Sequence, residues 1–176
     1  IGGIGVYGVQ IAAATGAKVI ALDVDDRKLE QARAAGALAV LNVRDVPTKE
    51  IRKLVRGLAE GLGAPAHVWK IFEMSGTRAG QETAYSLLGF GASLAIVGYT
   101  MERVEVSLSN LMAYDATVRG NWGADPMIYP ELLRWIGDGR ISVKPYIDRQ
   151  PLERINAVFE DAHHGRLLKR VVLAPA

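Results

Sequence analysis

The sequence predicts an α/β fold: a doubly wound parallel sheet with helices on both faces. Three observations carry that reading. Short apolar runs alternate with helical patterns along the first 121 residues. A glycine cluster, Gly2, Gly3, Gly5 and Gly8, opens the first helical pattern. A carboxylate, Asp23, ends the first apolar run about twenty residues past the glycines, the separation expected in a nucleotide-binding unit. Strands that alternate with helices pair in parallel, and right-handed crossovers place the helices on both faces.

The elements follow in order. VQIAAAT continues from the glycines with helical spacing, and Gly16 ends it. KVIALD, residues 18–23, is short, partly β-branched and apolar, which predicts a buried parallel strand. Residues 26–35 predict a helix ended by Gly36, with Asp25 and Asp26 as its cap. LAVLN, residues 38–42, is a short strand. Residues 48–63 form an amphipathic helix in which Ile51, Leu54, Val55, Leu58 and Leu62 share one face. VWKIFEMSG, residues 68–76, is a strand leading into a turn. A helix over 78–89 stops at Gly89, and GASLAIVG, residues 91–98, is another buried strand. SLSNLMAYD predicts a short helix and ATVRGN, residues 116–121, a last strand.

After Asn121 the alternation weakens. PMIYPELLRWIGDG is helical, RISVKPYI extended, PLERINAVFEDAHHG a helix with Pro151 near its start, and LKRVVLAP a short strand. This tail is expected to leave the preceding domain and pack elsewhere, because its extended pieces lack obvious partner strands. No internal repeat appears.

Composition narrows the function classes. A chain of 176 residues suits one domain, or one domain and part of another, and 49% apolar residues supply a core. A net charge of +2 with interspersed signs gives no case for nucleic acid. No run of about eighteen apolar residues is present, so no membrane span is predicted. The absence of cysteine excludes disulfides and thiolate ligands within these residues and fits a cytoplasmic location.

The glycines and Asp23 carry the chemistry. A glycine-rich turn at a helix start brings backbone N–H groups and the positive dipole end to an anion. Gly2 and Gly5 fit the second and third glycines of G-x-G-x-x-G, and the first then falls just before Ile1. The chain is therefore expected to be a fragment that begins in mid-motif, with the first strand upstream. Because that strand is central in a doubly wound sheet, its neighbours would lose a ladder. A carboxylate at the position of Asp23 accepts hydrogen bonds from ribose hydroxyls and repels a 2′-phosphate, which favours NAD over NADP. Lys28 stands near enough to contact the same ribose. The glycines have a second reading, as small residues that permit close helix packing.

In such sheets the ligand lies beyond the carboxyl ends of the strands. Candidate edges are Met74, Ser75 and Gly76; Val97, Gly98 and Tyr99; and Gly120, Asn121 and Trp122. Ser75, Tyr99 and Asn121 offer hydrogen bonds to a carboxamide, as do backbone groups there. Trp122 suits a substrate pocket, a core or a subunit interface equally. Arg170 either returns to a pyrophosphate or is solvated. His67, His163 and His164 are the only histidines, and the last two, adjacent on a helix, point about 100° apart and chelate poorly. No catalytic triad, nucleophile elbow or phosphate-loop lysine is present. The visible chain supplies no acid, base or metal site, so no catalytic residue is assigned.

The runs GGIG, VQIA, AKVIALDVDDRKLEQARAAGA, FEMSG, GASLAIVGYT, RGNWG and LKRVVLAP resemble the medium-chain zinc-type alcohol dehydrogenases over essentially the whole chain. The resemblance implies an NAD-binding domain of the Rossmann type over 1–121 and a segment over 122–176 that rejoins a catalytic domain. It places that catalytic domain, with the zinc ligands, upstream of these residues. Gly2, Gly3, Ile4 and Gly5 match the pyrophosphate turn. Asp23 and Lys28 match the adenosine ribose contacts. Ser75, Val97, Gly98, Tyr99, Asn121 and Trp122 match the nicotinamide side, and Arg170 matches a late basic residue near the pyrophosphate. The family's last sheet strands pair across a dimer axis, so a homo-oligomer is expected. The implied reaction moves a hydride from a secondary alcohol to NAD. The phrasing WKIFEMSGTRAGQETAYSLLGFGASLAIVGYT further implies an acyl-CoA alcohol as the small-molecule substrate. The fragment alone is expected to be inactive. Two alternatives stay open: a zinc-free quinone or enoyl reductase of the same superfamily, against which Asp23 speaks, and a non-catalytic NAD-sensing module, which leaves the tail unexplained.

Overall fold

The computed structural model describes residues 1–175. Seven helices and seven strands alternate along those residues, with short 3₁₀ turns in the tail. Helix α1 (Gly5–Ala14) leads to β1 (Ile20–Asp23), α2 (Asp26–Ala34), β2 (Ala39–Asn42) and α3 (Thr48–Gly61). Then come β3 (Lys70–Glu73), α4 (Arg78–Ser86), β4 (Ser93–Ile96), α5 (Ser109–Ala113) and β5 (Thr117–Gly120). The tail holds α6 (Tyr129–Gly137), β6 (Ile147–Pro151), α7 (Ile155–His163) and β7 (Arg170–Ala174).

All strand pairs are parallel. β1 pairs with β2 from Ile20↔Ala39 to Asp23↔Asn42. β4 lies between β3 and β5, with Ile71↔Leu94 and Leu94↔Val118 in one row. The order is thus a pair, β1-β2, and a triple, β3-β4-β5, with no described strand between β1 and β3. These are the two flanks of a doubly wound sheet, running outward from the line where the strand order reverses.

Alternation along β1 builds both helix layers. Ala21 faces Val6 and Val9 of α1 and Ala32 of α2. Its neighbours Ile20 and Leu22 point the other way, onto Ile51 and Val55 of α3. The same cluster takes in Leu87 and Ile71, so α3 spans the two half-sheets. Leu88 and Leu94, each 1% exposed, centre a further cluster with Ala84, Leu111 and Tyr114. The opposite face of the triple is open: Phe72 is 58% exposed, and all four residues of β5 are exposed.

Local chemistry sets the ends. Asp25 caps α2 by accepting the Arg27 amide at 2.9 Å, while Asp26 instead accepts from Asn42 Nδ2 at 2.6 Å. Thr77 caps α4 through the Gly80 amide at 3.1 Å. Gly36 closes α2 at φ +109°, which an L side chain avoids.

The tail departs from the sequence reading in two places. RISVKPYI is not a strand: Lys144–Tyr146 is a 3₁₀ turn around Pro145, and extended backbone starts only at Ile147. The ring of Pro145 fixes φ and removes a ladder donor, which favours the turn. Nor do the tail's strands lack partners. β6 and β7 pair with each other in parallel, from Ile147↔Arg170 to Pro151↔Ala174, around α7. Pro151 therefore ends β6, and a 3₁₀ turn, Leu152–Arg154, precedes α7.

The segment before β6 lies on α1. Gln10, 7% exposed, donates to the Ser142 carbonyl at 3.1 Å and accepts the Ser142 amide at 2.8 Å. Tyr146 joins the α1 cluster edge-on to Tyr7. Arg140 donates to the Ala14 carbonyl at the end of α1 at 2.6 Å.

Candidate functional site

Helix α1 begins bare. Ile4 occupies the cap position without a side-chain bond, and no acid stands in the first turn. The first amide to bond back is that of Val6, to Gly2 at 3.2 Å, and Tyr7 and Gly8 follow onto Ile4 at 3.1 Å. The amides of Gly3, Ile4 and Gly5 have no backbone acceptor among the described residues. Free N–H groups at the positive end of a helix attract an anion. A cation stands beside them: a methyl built on Gly3 would lie 3.4 Å from Nε and from Nη2 of Arg170, the first residue of β7. At Gly2 a methyl would meet nothing within 4 Å. Gly8 has the packing role instead, since a methyl there would stand 2.8 Å from Sδ and Cε of Met74.

Asp23 closes β1 against this turn. Its Oδ1 accepts the amides of Val24 at 2.7 Å and Asp25 at 3.0 Å. Its Oδ2 faces the backbone nitrogen of Ile1, and its side chain is 10% exposed. Lys28 lies in the first turn of α2, and its ammonium makes no ion pair among the described residues. The neighbouring Asp25 is engaged with Arg27, whose side-chain hydrogen bonds hold its carboxyl down from the ordinary 3.8 to about 2.

The ends of β3 and β4 meet backbone to backbone. The amides of Val97 and Gly98 both donate to the Glu73 carbonyl, at 2.9 and 3.0 Å. Gly76 sits at φ +66°, and a methyl on it would stand 2.7 Å from the Tyr99 carbonyl oxygen. The hydroxyl proton of Ser75 goes to Glu73 Oε1, so what Ser75 offers a ligand is its backbone. Tyr99 is 73% exposed. On the next strand end the Asn121 amide donates to Ile96 at 3.0 Å and its Nδ2 to Gly123 at 3.1 Å. Trp122 is 92% exposed and makes no pocket wall among the described residues.

The structure therefore gathers the sequence candidates into two groups along one sheet edge. Gly2, Gly3, Ile4, Gly5, Asp23 and Arg170 meet at the start of α1. Ser75, Val97, Gly98 and Tyr99 meet at the ends of β3 and β4, tied to the first group by Met74 against Gly8. Lys28, Asn121 and Trp122 flank these groups. Sequence reasoning missed two polar residues beside these strand ends, the half-buried Gln81 and the buried Glu73. Gln81 donates to the Gly98 carbonyl at 3.2 Å, and Glu73 is 3% exposed. The signal for Glu73 was a carboxylate inside an apolar strand, directly before a turn of small residues. Among the described residues no three His, Cys, Asp or Glu side chains come together to hold a metal. No described helix is long and apolar enough to cross a membrane.

Parallel strands alternating with helices on both faces place the fold in the Rossmann-like class of doubly wound α/β domains. Within that class the chain belongs to the zinc-binding dehydrogenase family, whose model matches residues 3–138. It is 31% identical over 174 residues to an alcohol dehydrogenase of Geobacillus stearothermophilus, covering 98% of this chain and 48% of that one. It superposes on the crystal structure of the alcohol dehydrogenase of Aeropyrum pernix with a TM-score of 0.85 at 30% identity, covering 99% of this chain and 48% of that one. A short chain alcohol dehydrogenase from E. coli, complexed with cofactor NADH, shares the fold at a TM-score of 0.78 and 19% identity, covering 98% of this chain and 50% of that one. The chain spans about half the length of the curated relatives it matches.

Proposed function

We propose that this chain is the NAD-binding part of a dehydrogenase that oxidises a secondary alcohol. The observation that carries the reading is the meeting of Asp23 with the uncapped start of α1 and the Arg170 guanidinium. A dinucleotide fits the chemistry of those groups. The free amides and Arg170 receive a pyrophosphate. Asp23 receives the ribose hydroxyls, with Lys28 beside it, and opposes a 2′-phosphate. Ser75, Val97, Gly98, Tyr99, Asn121 and Trp122 form the nicotinamide side. NAD, when bound, accepts the hydride, and these residues fix its distance and face.

The resemblance supports a finer assignment. The substrate is 6-hydroxycyclohex-1-ene-1-carbonyl-CoA and the product its 6-oxo ketone, in anaerobic aromatic degradation, as in the 6-hydroxycyclohex-1-ene-1-carbonyl-CoA dehydrogenases. Zinc and the catalytic residues belong to a domain outside this chain, which residues 122–176 rejoin. The exposed edge of β5, with Val118 at the surface, supports a homo-oligomer formed through that edge.

The test is NAD reduction by the full-length protein, given this hydroxyacyl-CoA and, separately, a simple secondary alcohol. Turnover confined to the CoA thioester supports the whole assignment. Turnover of the simple alcohol alone removes the acyl-CoA substrate and keeps the dehydrogenase. Activity with NADPH and a quinone in its place would replace the reading with that of a reductase.

A further inference from the structure

The mechanism read from the sequence makes no use of Glu73, yet its setting is unusual. It closes β3, it is 3% exposed, and it is the one charged side chain buried in the core of the described residues. Its Oε1 accepts the Ser75 amide at 2.7 Å, the Ser75 hydroxyl and the Gly76 amide at 3.3 Å. Its Oε2 is buried and has no partner among the described residues. A buried carboxylate oxygen without a donor is costly, and an apolar or shorter residue would avoid that cost.

The surroundings are shaped to that carboxylate. A methyl on Gly98 would stand 2.7 Å from Oε2 and 2.3 Å from the Gly76 nitrogen. A methyl on Gly80 would stand 3.0 Å from Oε1. Glycines therefore border it on two sides, and any larger residue would displace it. The main chain of the same residue receives the Val97 and Gly98 amides. One residue thus holds two loops: its backbone grips the end of β4, and its side chain grips the turn after β3. A trans peptide turns its carbonyl opposite to its N–H. The amides pinned on Glu73 therefore turn the carbonyls of Met74, Ser75 and Val97 away from it.

We infer that Glu73 is a positioning residue for the nicotinamide end of the cofactor, acting through Ser75, Gly76, Val97 and Gly98 rather than by touching the ligand. The inference rests on the dinucleotide reading above. It separates the two ends of the ligand, because Asp23, the glycine turn and Arg170 lie on other elements. Loss of the Glu73 charge loosens the ring side and leaves the ADP-ribose side intact.

The experiment is calorimetric titration of the full-length protein with NADH and with ADP-ribose, which lacks only the nicotinamide. The variants are Glu73→Gln and Ser75→Ala, with thermal melting recorded for each. The Glu73→Gln side chain has the shape of glutamate and can keep a carbonyl oxygen at the Oε1 position, but it removes the charge that strengthens the hydrogen bonds from Ser75 and Gly76. NADH binding is expected to weaken by about tenfold in Glu73→Gln, the order of one charge-assisted hydrogen bond, and ADP-ribose by less than about twofold. Ser75→Ala, which removes one donor from Oε1, is expected to shift NADH in the same direction by less. Unchanged NADH binding in Glu73→Gln, or equal loss of both ligands with a lowered Tm, overturns the positioning role. Failure of the unaltered protein to bind either ligand overturns the dinucleotide reading itself.

Discussion

The guanidinium of Arg170 occupies the approach to Gly3, with Nε and Nη2 both 3.4 Å from where a β-carbon would stand. The two residues are 167 positions apart, near opposite ends of the chain. The contact makes β7 part of the glycine turn's surroundings. Replacement of Arg170 by Ala is expected to weaken NADH and ADP-ribose alike, by about tenfold at low salt, as loss of one phosphate contact would. The deficit shrinks as ionic strength rises, because partly exposed charges are screened. Titration at two salt concentrations checks this, and a deficit seen only with NADH would place the arginine elsewhere.

In the proposed dinucleotide site, Asp23 is expected to set the choice between the two nicotinamide cofactors. Asp23→Asn removes the charge that repels a 2′-phosphate while keeping a hydrogen-bonding side chain. NAD affinity is expected to fall by about tenfold and the NADP to NAD preference to rise by more than that, since one effect adds to the other. The ratio of kcat/KM for the two cofactors in the full-length protein measures it. An unchanged ratio would remove Asp23 from the ribose site.

The α2 cap carries an acid dependence. Asp25 titrates near 2 in the folded chain, below its ordinary 3.8, chiefly through the side-chain hydrogen bonds of Arg27. A folded value below the unfolded one means that the cap's contribution is complete above about pH 4 and is lost as the pH falls through about 2. Carboxyl chemical shifts of Asp25 followed by NMR should show that midpoint. Arg27→Ala should return it towards 3.8, and a midpoint that stays put would assign the shift to another cause.

Gly36 tests the fold apart from the site. Its φ of +109° and the 2.8 Å approach of a β-carbon to Ala13 Cβ leave no room for a side chain. Gly36→Ala is expected to cost about 1–3 kcal/mol of stability and to leave NADH affinity unchanged. Chemical denaturation beside ligand titration separates the two.

Residues 1–176 on their own are expected to oxidise no alcohol, because no cluster of side chains that could hold a metal is assembled among the described residues and the proposed catalytic domain is not among them. Spectrophotometric assay of this piece with NAD and excess alcohol would settle the point, and any turnover above buffer places catalytic groups within it.

Much of this was legible in the sequence because the governing physics is local. The alternation of KVIALD, LAVLN, KIFE and SLAI with helical patterns follows from burial on both faces, and the strands appear where those runs lie. Asp25 could be read as a cap from its position alone. What failed was long-range. The pairing of β6 with β7 joins runs some twenty residues apart, and no local rule announces a parallel partner within the tail. RISVKPYI has strand composition, but Pro145 decides for a turn. In the site, the meeting of Asp23 with the glycines was visible as spacing. The Arg170 contact was open until β7 was placed, and although an acid in an apolar run marks Glu73, its partners were hidden because the run says nothing about what faces it.

The span of α3 across both half-sheets has a consequence for how the chain opens. Between β1 and β3 the described residues share no hydrogen-bond ladder, and the link through Ile51, Val55, Leu87 and Ile71 is made of side chains. Packing of that kind melts without breaking either ladder. In residues 1–176 taken alone, amide hydrogens of β1-β2 and of β3-β4-β5 should then exchange as two blocks with separate opening free energies. A cavity cut at Val55 would bring those energies further apart, making α3 the clasp on which the cooperativity of the whole piece depends.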